Sequence, residues 1–299
     1  MRDLIGHTPL VKINYAFEQV EGVNLFAKLD YYNPSGSVKD RTGLYMVEDA
    51  IKDGRLKRGS TIVEATAGNT GLGVAFAALN QGFHVIFVVP EKFSEEKQIL
   101  MKALGADIIH TKREDGMLGA AAKAQELLSE IKDSISLQQF KNMSNPKAHY
   151  ETTGPEIYQD LDGKIDYLVA GAGSGGTYSG VVKFLKEQNR NIKGILADPV
   201  GSTMGGGEHA DYDIEGIGND FIAETMDMSL VDKVIKINDT QAFDGARSLA
   251  RHEGILGGSS TGAAFSAALK LIYEHHVKGN IVFIAPDSGD RYFSKHLYA

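Results

Sequence analysis

The chain has 299 residues, 42% hydrophobic and 23% charged, which is ordinary for a globular protein and long enough for a large core in two lobes. A net charge of -8 with no offsetting basic run argues against a nucleic-acid surface, and the absence of cysteine removes disulfides, thiolate metal sites and a cysteine nucleophile. No run approaches membrane-spanning length and M-R-D-L-I-G-H-T-P-L has no apolar leader core, so a cytoplasmic protein that binds no membrane is expected.

After Gly6-His7-Thr8-Pro9-Leu10, a short strand is predicted over Leu25–Leu29, leading into N-P-S-G-S-V-K-D-R, Asn33–Arg41. The X-Pro step and the small residues after it make a loop, and Leu44, Val47 and Ile51 recur at helical spacing beyond it. Lys39 is therefore expected in the first helical turn, where the macrodipole disfavours a cation. The plain reading is a solvated lysine paired with Asp40. The sharper one is an amine held partly neutral, able to attack a carbonyl.

A strand over Thr61–Glu64 runs into T-A-G-N-T-G, Thr66–Gly71, and an alanine-rich helix follows. The apolar strand His84–Val89 stops at Pro90, Glu95-Glu96-Lys97 reads as a solvated helix face, and Ile108-Ile109 and Gly119–Ile131 form the next strand and helix. The apolar strand Tyr167–Ala170 opens into G-A-G-S-G-G-T, with a helix over Tyr178–Glu187 and a strand over Gly194–Ala197. Met204–Gly218 reads as a long functional loop, followed by a strand at Val234–Ile237, a helix at Gln241–His252, G-G-S-S-T-G, a helix at Ala263–His275 and a strand at Ile281–Ala285. This alternation implies an α/β fold with mostly parallel sheets covered on both faces. With no obvious linker, the two lobes are expected to interleave in sequence.

Gly173–Thr177, between strand and helix, suits an anion: consecutive backbone N–H groups and a helix N-terminus converge there. A structural turn uses the same glycines. A nicotinamide-dinucleotide reading meets the fingerprint spacing only through Gly171, Gly173 and Gly176, and Asp198, followed by a proline, is a poor ribose partner. Thr66–Gly71 offers hydroxyls, an amide and N–H groups that suit a carboxylate, although an N-cap by Thr66 or Asn69 explains them as well. Gly258–Gly262 fits a serine-hydrolase elbow around Ser260, with Asp287 and His296 following in order. His296 lies in the last four residues, and a helix start capped by Ser260 or Thr261 is the simpler reading. The histidines show no metal spacing, and no metal is expected.

These motifs stand in one order together with Q-Q-F, N-P-K-A-H-Y-E-T-T-G-P-E-I and E-G-I-G-N-D-F. The chain thereby resembles the cysteine synthase and cystathionine β-synthase family, pyridoxal 5′-phosphate enzymes of fold type II, over nearly its whole length. The resemblance implies two interleaved open α/β domains: a smaller one over 36–145, and a larger cofactor-binding one made of 1–35 with 146–299. It implies that Lys39 forms the Schiff base with the cofactor and serves as the base for the α-proton. Gly173, Ser174, Gly175, Gly176 and Thr177 match the cofactor phosphate loop, Asn69 the residue holding its 3′-oxygen, and Ser260 the hydroxyl facing its ring nitrogen. Thr66, Ala67, Gly68, Asn69, Thr70 and Gln139 match the loop and side chain that take the substrate carboxylate.

The implied reaction is β-replacement on O-acetylserine or serine by a thiol through an aminoacrylate, with a homodimer as the implied assembly. The asparagine loop usually reads T-S-G-N-T-G, and here Ala67 replaces the serine. Cysteine synthases often carry Q-G-I-G-A-G-F where this chain has E-G-I-G-N-D-F. The stretch Asp211–Asp232 resembles the cystathionine β-synthases more, as does T-A-G-N-T-G, which is similar to the bacterial branch that uses O-acetylserine with homocysteine to give cystathionine. The alternatives are a cysteine synthase using sulfide and a β-eliminating cysteine lyase releasing it. Neither haem nor S-adenosylmethionine control is expected.

Overall fold

The computed structural model describes residues 2–91 and 95–298. The first half of the chain forms β1 (Leu10–Lys12), β2 (Val23–Leu29), α1 (Lys39–Lys52), β3 (Thr61–Ala65), α2 (Asn69–Ala78), β4 (His84–Pro90), α3 (Glu95–Ala103), β5 (Asp107–Thr111), α4 (Gly116–Glu130) and β6 (Ser134–Ile135). The second half forms α5 (Ser144–Ala148), α6 (Gly154–Asp160), β7 (Tyr167–Gly171), α7 (Gly176–Gln188), β8 (Lys193–Pro199), β9 (Lys233–Ile237), α8 (Asp239–Glu253), α9 (Ser259–Tyr273) and β10 (Gly279–Ala285). A π-helical turn, His149–Thr153, joins α5 to α6. The chain divides into two compact units.

The first unit takes the residues up to Ile5 and Lys39–Asn145. Its sheet runs β5-β4-β3-β6 with every neighbouring pair parallel. Strand alternation sorts the side chains: Val85, Phe87 and Val89 of β4 enter one apolar cluster with Met46, Val47 and Ala50, while Val88 enters a second with Ala120, Ala124 and Leu127. The α1 stripe differs from the one predicted. Gly43, Met46, Val47 and Ala50 are buried, whereas Ile51 is 37% exposed. The cause is Gly43, whose missing side chain lets α2 approach on that face. A Cβ there would strike the backbone of Gly73, and one on Gly73 would strike the carbonyl of Lys39. In α3, Glu95 and Glu96 are solvated, but Lys97 is buried.

The second unit takes Gly6–Val38 and the chain from Pro146 onward. Its sheet runs β1-β2-β10-β7-β8-β9, parallel except for the antiparallel β1–β2 pair. Ile281, Phe283 and Ala285 of β10 face one cluster and Val282 and Ile284 the other, so the unbroken apolar run reflects a strand buried on both faces. The motif Gly6–Leu10 is held by a buried network. Lys28 Nζ donates to the Thr8 carbonyl (2.6 Å) and pairs with Glu156 (2.9 Å), while Thr8 Oγ1 donates to Asp30 (2.6 Å). Gly6 N–H donates to Asn33 Oδ1 (2.8 Å), which ties this network to the loop before Lys39. Among the described residues no helix is long and apolar enough to cross a membrane.

Candidate active site

In the first unit, Lys39 opens α1 and is partly buried, beside fully buried Asp40 and Arg41. Asp40 lies inside the fold rather than at a solvated surface. The T-A-G-N-T-G turn links β3 to α2, whose N-cap is Gly68 with no side-chain cap bond, so neither Thr66 nor Asn69 caps it. Thr66 and Thr70 turn inward at 5% and 7% exposure, while Ala67, Gly68 and Asn69 are half-buried along the turn. A Cβ on Gly68 would meet open space, so the turn faces room for a ligand.

Thr70 Oγ1 donates to Gln139 Oε1 at 2.6 Å, joining two residues that are far apart in sequence. The Gln139 carbonyl accepts from Asn145 Nδ2 (2.9 Å), and Asn145 Oδ1 accepts the hydroxyl of Thr42 (3.1 Å), on the same helix as Lys39. Glu64, near the end of β3, accepts from the segment just before Gln139. Burial pushes the Glu64 carboxyl up, against the pull of the Gln138 and Leu137 amides and the Ser136 hydroxyl.

In the second unit, Gly173–Thr177 links β7 to α7. Three successive carbonyls are tied back: Ala172 accepts from Gly218 N–H (2.8 Å), Gly173 from Asn219 Nδ2 (2.7 Å) and Ser174 from Thr225 Oγ1 (2.5 Å). In a trans peptide the N–H points opposite its carbonyl. The N–H groups of residues 173, 174 and 175 are therefore turned together to the other side, at the start of a helix, which is a cradle for an anion. Gly175 sits at φ +82°, and a Cβ there would strike Met226. Thr177 Oγ1 lies 3.2 Å from Nε2 of the buried His149, whose Nδ1 is 3.0 Å from Thr153 Oγ1.

Ser260 stands in the first turn of α9, capped by Gly258 rather than by Ser260 or Thr261. Its hydroxyl is buried at 3% exposure and has no hydrogen-bond partner among the described residues, so it can serve a ligand's polar atom. A pyridoxal phosphate fits these features: a three-N–H cradle for its phosphate and an unengaged buried hydroxyl for its ring nitrogen.

The rival readings meet geometry that denies them. Asp198 is 1% exposed and held by Lys236 Nζ (2.5 Å) and Gly205 N–H (3.0 Å), so it cannot grip a ribose. Asp287 accepts the hydroxyl of Tyr292, itself pushed well up by burial and by that carboxylate. The His296 ring is exposed and has no partner among the described residues, so no triad forms around Ser260. Among the described residues no cluster of acidic and histidine side chains could hold a metal ion.

Asn219, Thr225 and His149 are the supporting residues that sequence reasoning missed. Asn219 was signalled by the departure E-G-I-G-N-D-F, which places it where cysteine synthases often have alanine, and His149 by its place in N-P-K-A-H-Y-E-T-T-G-P-E-I. Gly175→Val is expected to weaken cofactor retention by about a hundredfold, as at least one charge-assisted bond of roughly 1.5–3 kcal/mol is lost. The cause is a β-branched residue forced into left-handed φ against Met226. Equilibrium dialysis of a folded variant showing unchanged retention would refute this.

Residues 1–287 match the family described as pyridoxal-phosphate dependent enzyme. The O-acetylserine dependent cystathionine beta-synthase of Bacillus subtilis is 49% identical over 296 residues, spanning 99% of this chain and 96% of that one. A cysteine synthase of Helicobacter pylori is 43% identical over 302 residues, spanning 100% and 98%. The crystal structure of an O-acetylserine dependent cystathionine beta-synthase from Helicobacter pylori superposes with a TM-score of 0.92 at 43% identity, covering 100% and 98% of the two chains. With this likeness along the whole chain, the chain belongs to the fold-type II pyridoxal-phosphate enzymes of the cysteine synthase and cystathionine β-synthase family.

Proposed function

We propose that this enzyme replaces the β-substituent of O-acetylserine, and less readily of serine, with a thiol, and that homocysteine is the preferred thiol, giving cystathionine. The tied-back carbonyls of residues 172–174 carry the cofactor part of this reading. Bound there, pyridoxal phosphate supplies an electron sink that lowers the cost of removing the substrate's α-proton. Lys39 holds the cofactor's carbonyl carbon until the amino acid arrives, and its freed amine then takes the α-proton. Asn69 holds the 3′-oxygen, Gly173–Thr177 the phosphate and Ser260 the ring nitrogen. Being a neutral hydroxyl, Ser260 leaves that nitrogen largely unprotonated, which favours loss of the β-substituent over transamination. Thr66, Thr70, Gln139 and the N–H groups of residues 67–69 hold the donor's carboxylate. Acetate leaves from the β-carbon with its bonding pair, the thiol gives its proton to solvent as its sulfur bonds to that carbon, and the α-proton returns from Lys39.

The thiol preference rests on two features. Ala67 is half-buried in the turn and presents a methyl where a serine would present a hydroxyl. The loop from Glu208 to Asp220 carries exposed carboxylates, Glu208 and Asp211 among them, that suit the ammonium of an amino-acid thiol and give sulfide nothing to bind. One such bond of roughly 1.5–3 kcal/mol corresponds to about a ten- to hundredfold preference. With O-acetylserine fixed and each thiol varied, kcat/KM is expected to favour homocysteine by that factor. Sulfide ahead by about tenfold or more would make the enzyme a cysteine synthase. Sulfide release from cysteine with no second thiol present, faster than either replacement, would make it a lyase. A homodimer is the proposed assembly, measurable by light scattering.

A further inference from the structure

Glu64 carries an interaction that the reaction does not require directly. Its single oxygen Oε1 accepts from three successive residues: the Ser136 hydroxyl (3.0 Å), the Leu137 N–H and the Gln138 N–H (3.0 Å). Two consecutive peptide N–H groups converge on one atom only where the backbone curls into a nest, a concavity that ordinarily binds an anion. The curl is visible at Gln138, which is exposed and sits at φ +53°, in the left-handed region that non-glycine residues avoid. The chain's own carboxylate fills this nest and holds an unfavourable backbone conformation in place. The next residue is Gln139, whose side chain takes the Thr70 hydroxyl and whose carbonyl takes Asn145.

We propose that Glu64 is a positioning residue for the donor's carboxylate: by filling the nest at residues 136–138 it fixes where Gln139 stands beside Thr70. This rests on the reading above that Gln139 and Thr70 hold that carboxylate. Glu64 touches neither substrate nor cofactor and acts through the backbone. Glu64→Gln keeps an oxygen in the nest but removes its charge, so the left-handed turn at Gln138 loosens and the donor binds less well. Glycine at 138 adopts the left-handed region without penalty and is expected to restore the turn without the carboxylate.

The test uses the holoenzyme with O-acetylserine varied at saturating homocysteine. Glu64→Gln is expected to raise KM for O-acetylserine by about tenfold with kcat changed less than about threefold, and with cofactor retention unchanged. Hydrogen exchange at the Leu137 and Gln138 amides is expected to quicken. Adding Gln138→Gly to Glu64→Gln is expected to return KM to within about threefold of the parent. A merely structural role would lower kcat and cofactor retention together with affinity, and glycine would not rescue it; either result overturns the proposal. Gln139→Ala separates the two layers. If it leaves KM unchanged, the carboxylate reading itself fails. If it raises KM while Glu64→Gln does not, only the role of Glu64 fails. Should Glu64→Gln not fold, Gln138→Val keeps the carboxylate and burdens the same turn, and an unchanged KM in that variant overturns the proposal.

Discussion

Lys39→Ala is expected to fold as the parent does and lose turnover by at least about a thousandfold, the upper part of the range for removing a positioned base, because the group proposed to hold the cofactor goes with it. Lys39 begins α1, where the macrodipole disfavours a cation by roughly 0.3–1 kcal/mol. Urea unfolding of the cofactor-free proteins measures how far that penalty, and the contacts Lys39 makes, weigh in the fold. Circular dichroism, visible absorbance and turnover together check it. Wild-type turnover in the variant would remove Lys39 from the mechanism, and a large loss of stability would show that its charge supports the fold rather than the chemistry.

Gly73→Ala is expected to cost about 3 kcal/mol of stability, at the top of the usual range for overpacking. A methyl at Gly73 would lie against the Lys39 carbonyl oxygen and 3.1 Å from the Asp40 nitrogen, both backbone atoms that no rotamer change can move aside. The only relief is to push α1 away from α2, which carries Lys39 with it. Since a misplacement of about 1 Å can cost about a hundredfold in rate, turnover should fall in the residual folded fraction as well. Gly43→Ala should act the same way, and the double variant should be far from additive, because one displacement of α1 serves both methyls. A stability change below about 1 kcal/mol in urea would mean that these helices do not need the contact.

The strands β4, β7 and β10 were legible because they are largely buried and read as short apolar runs, and each was placed to within two residues. The three-residue β1 and the two-residue β6 are too short for any periodicity to register, and the π-helical turn at His149–Thr153 has no pattern of its own. The α1 stripe was misread because Leu44 and Ile51 are apolar and Gly43 is not, yet closeness of backbone decided which face was buried. At the candidate site, the motifs named the residues proposed as ligand groups. They could not show how Gly173–Thr177 is oriented, because Gly218, Asn219 and Thr225 set that from a distant segment. Glu64 read simply as a strand residue, since its partners are backbone amides that no sequence displays.

The E-G-I-G-N-D-F stretch has a consequence for how this enzyme can change. Gly218 and Asn219 brace the phosphate turn, while a neighbouring side chain, Asp220, faces solvent in contact with His209 (2.8 Å). On the proposed function, cofactor retention and part of acceptor choice share this stretch of seven residues, the first through its backbone and Asn219, the second through the exposed Asp220. Such pleiotropy narrows the evolutionary routes between relatives with different thiols. Exchanges confined to the solvent-facing side chains can be explored singly, whereas a change at Asn219 must be accompanied by another brace for the Gly173 carbonyl, so shifts in substrate are expected to travel as blocks rather than as isolated substitutions.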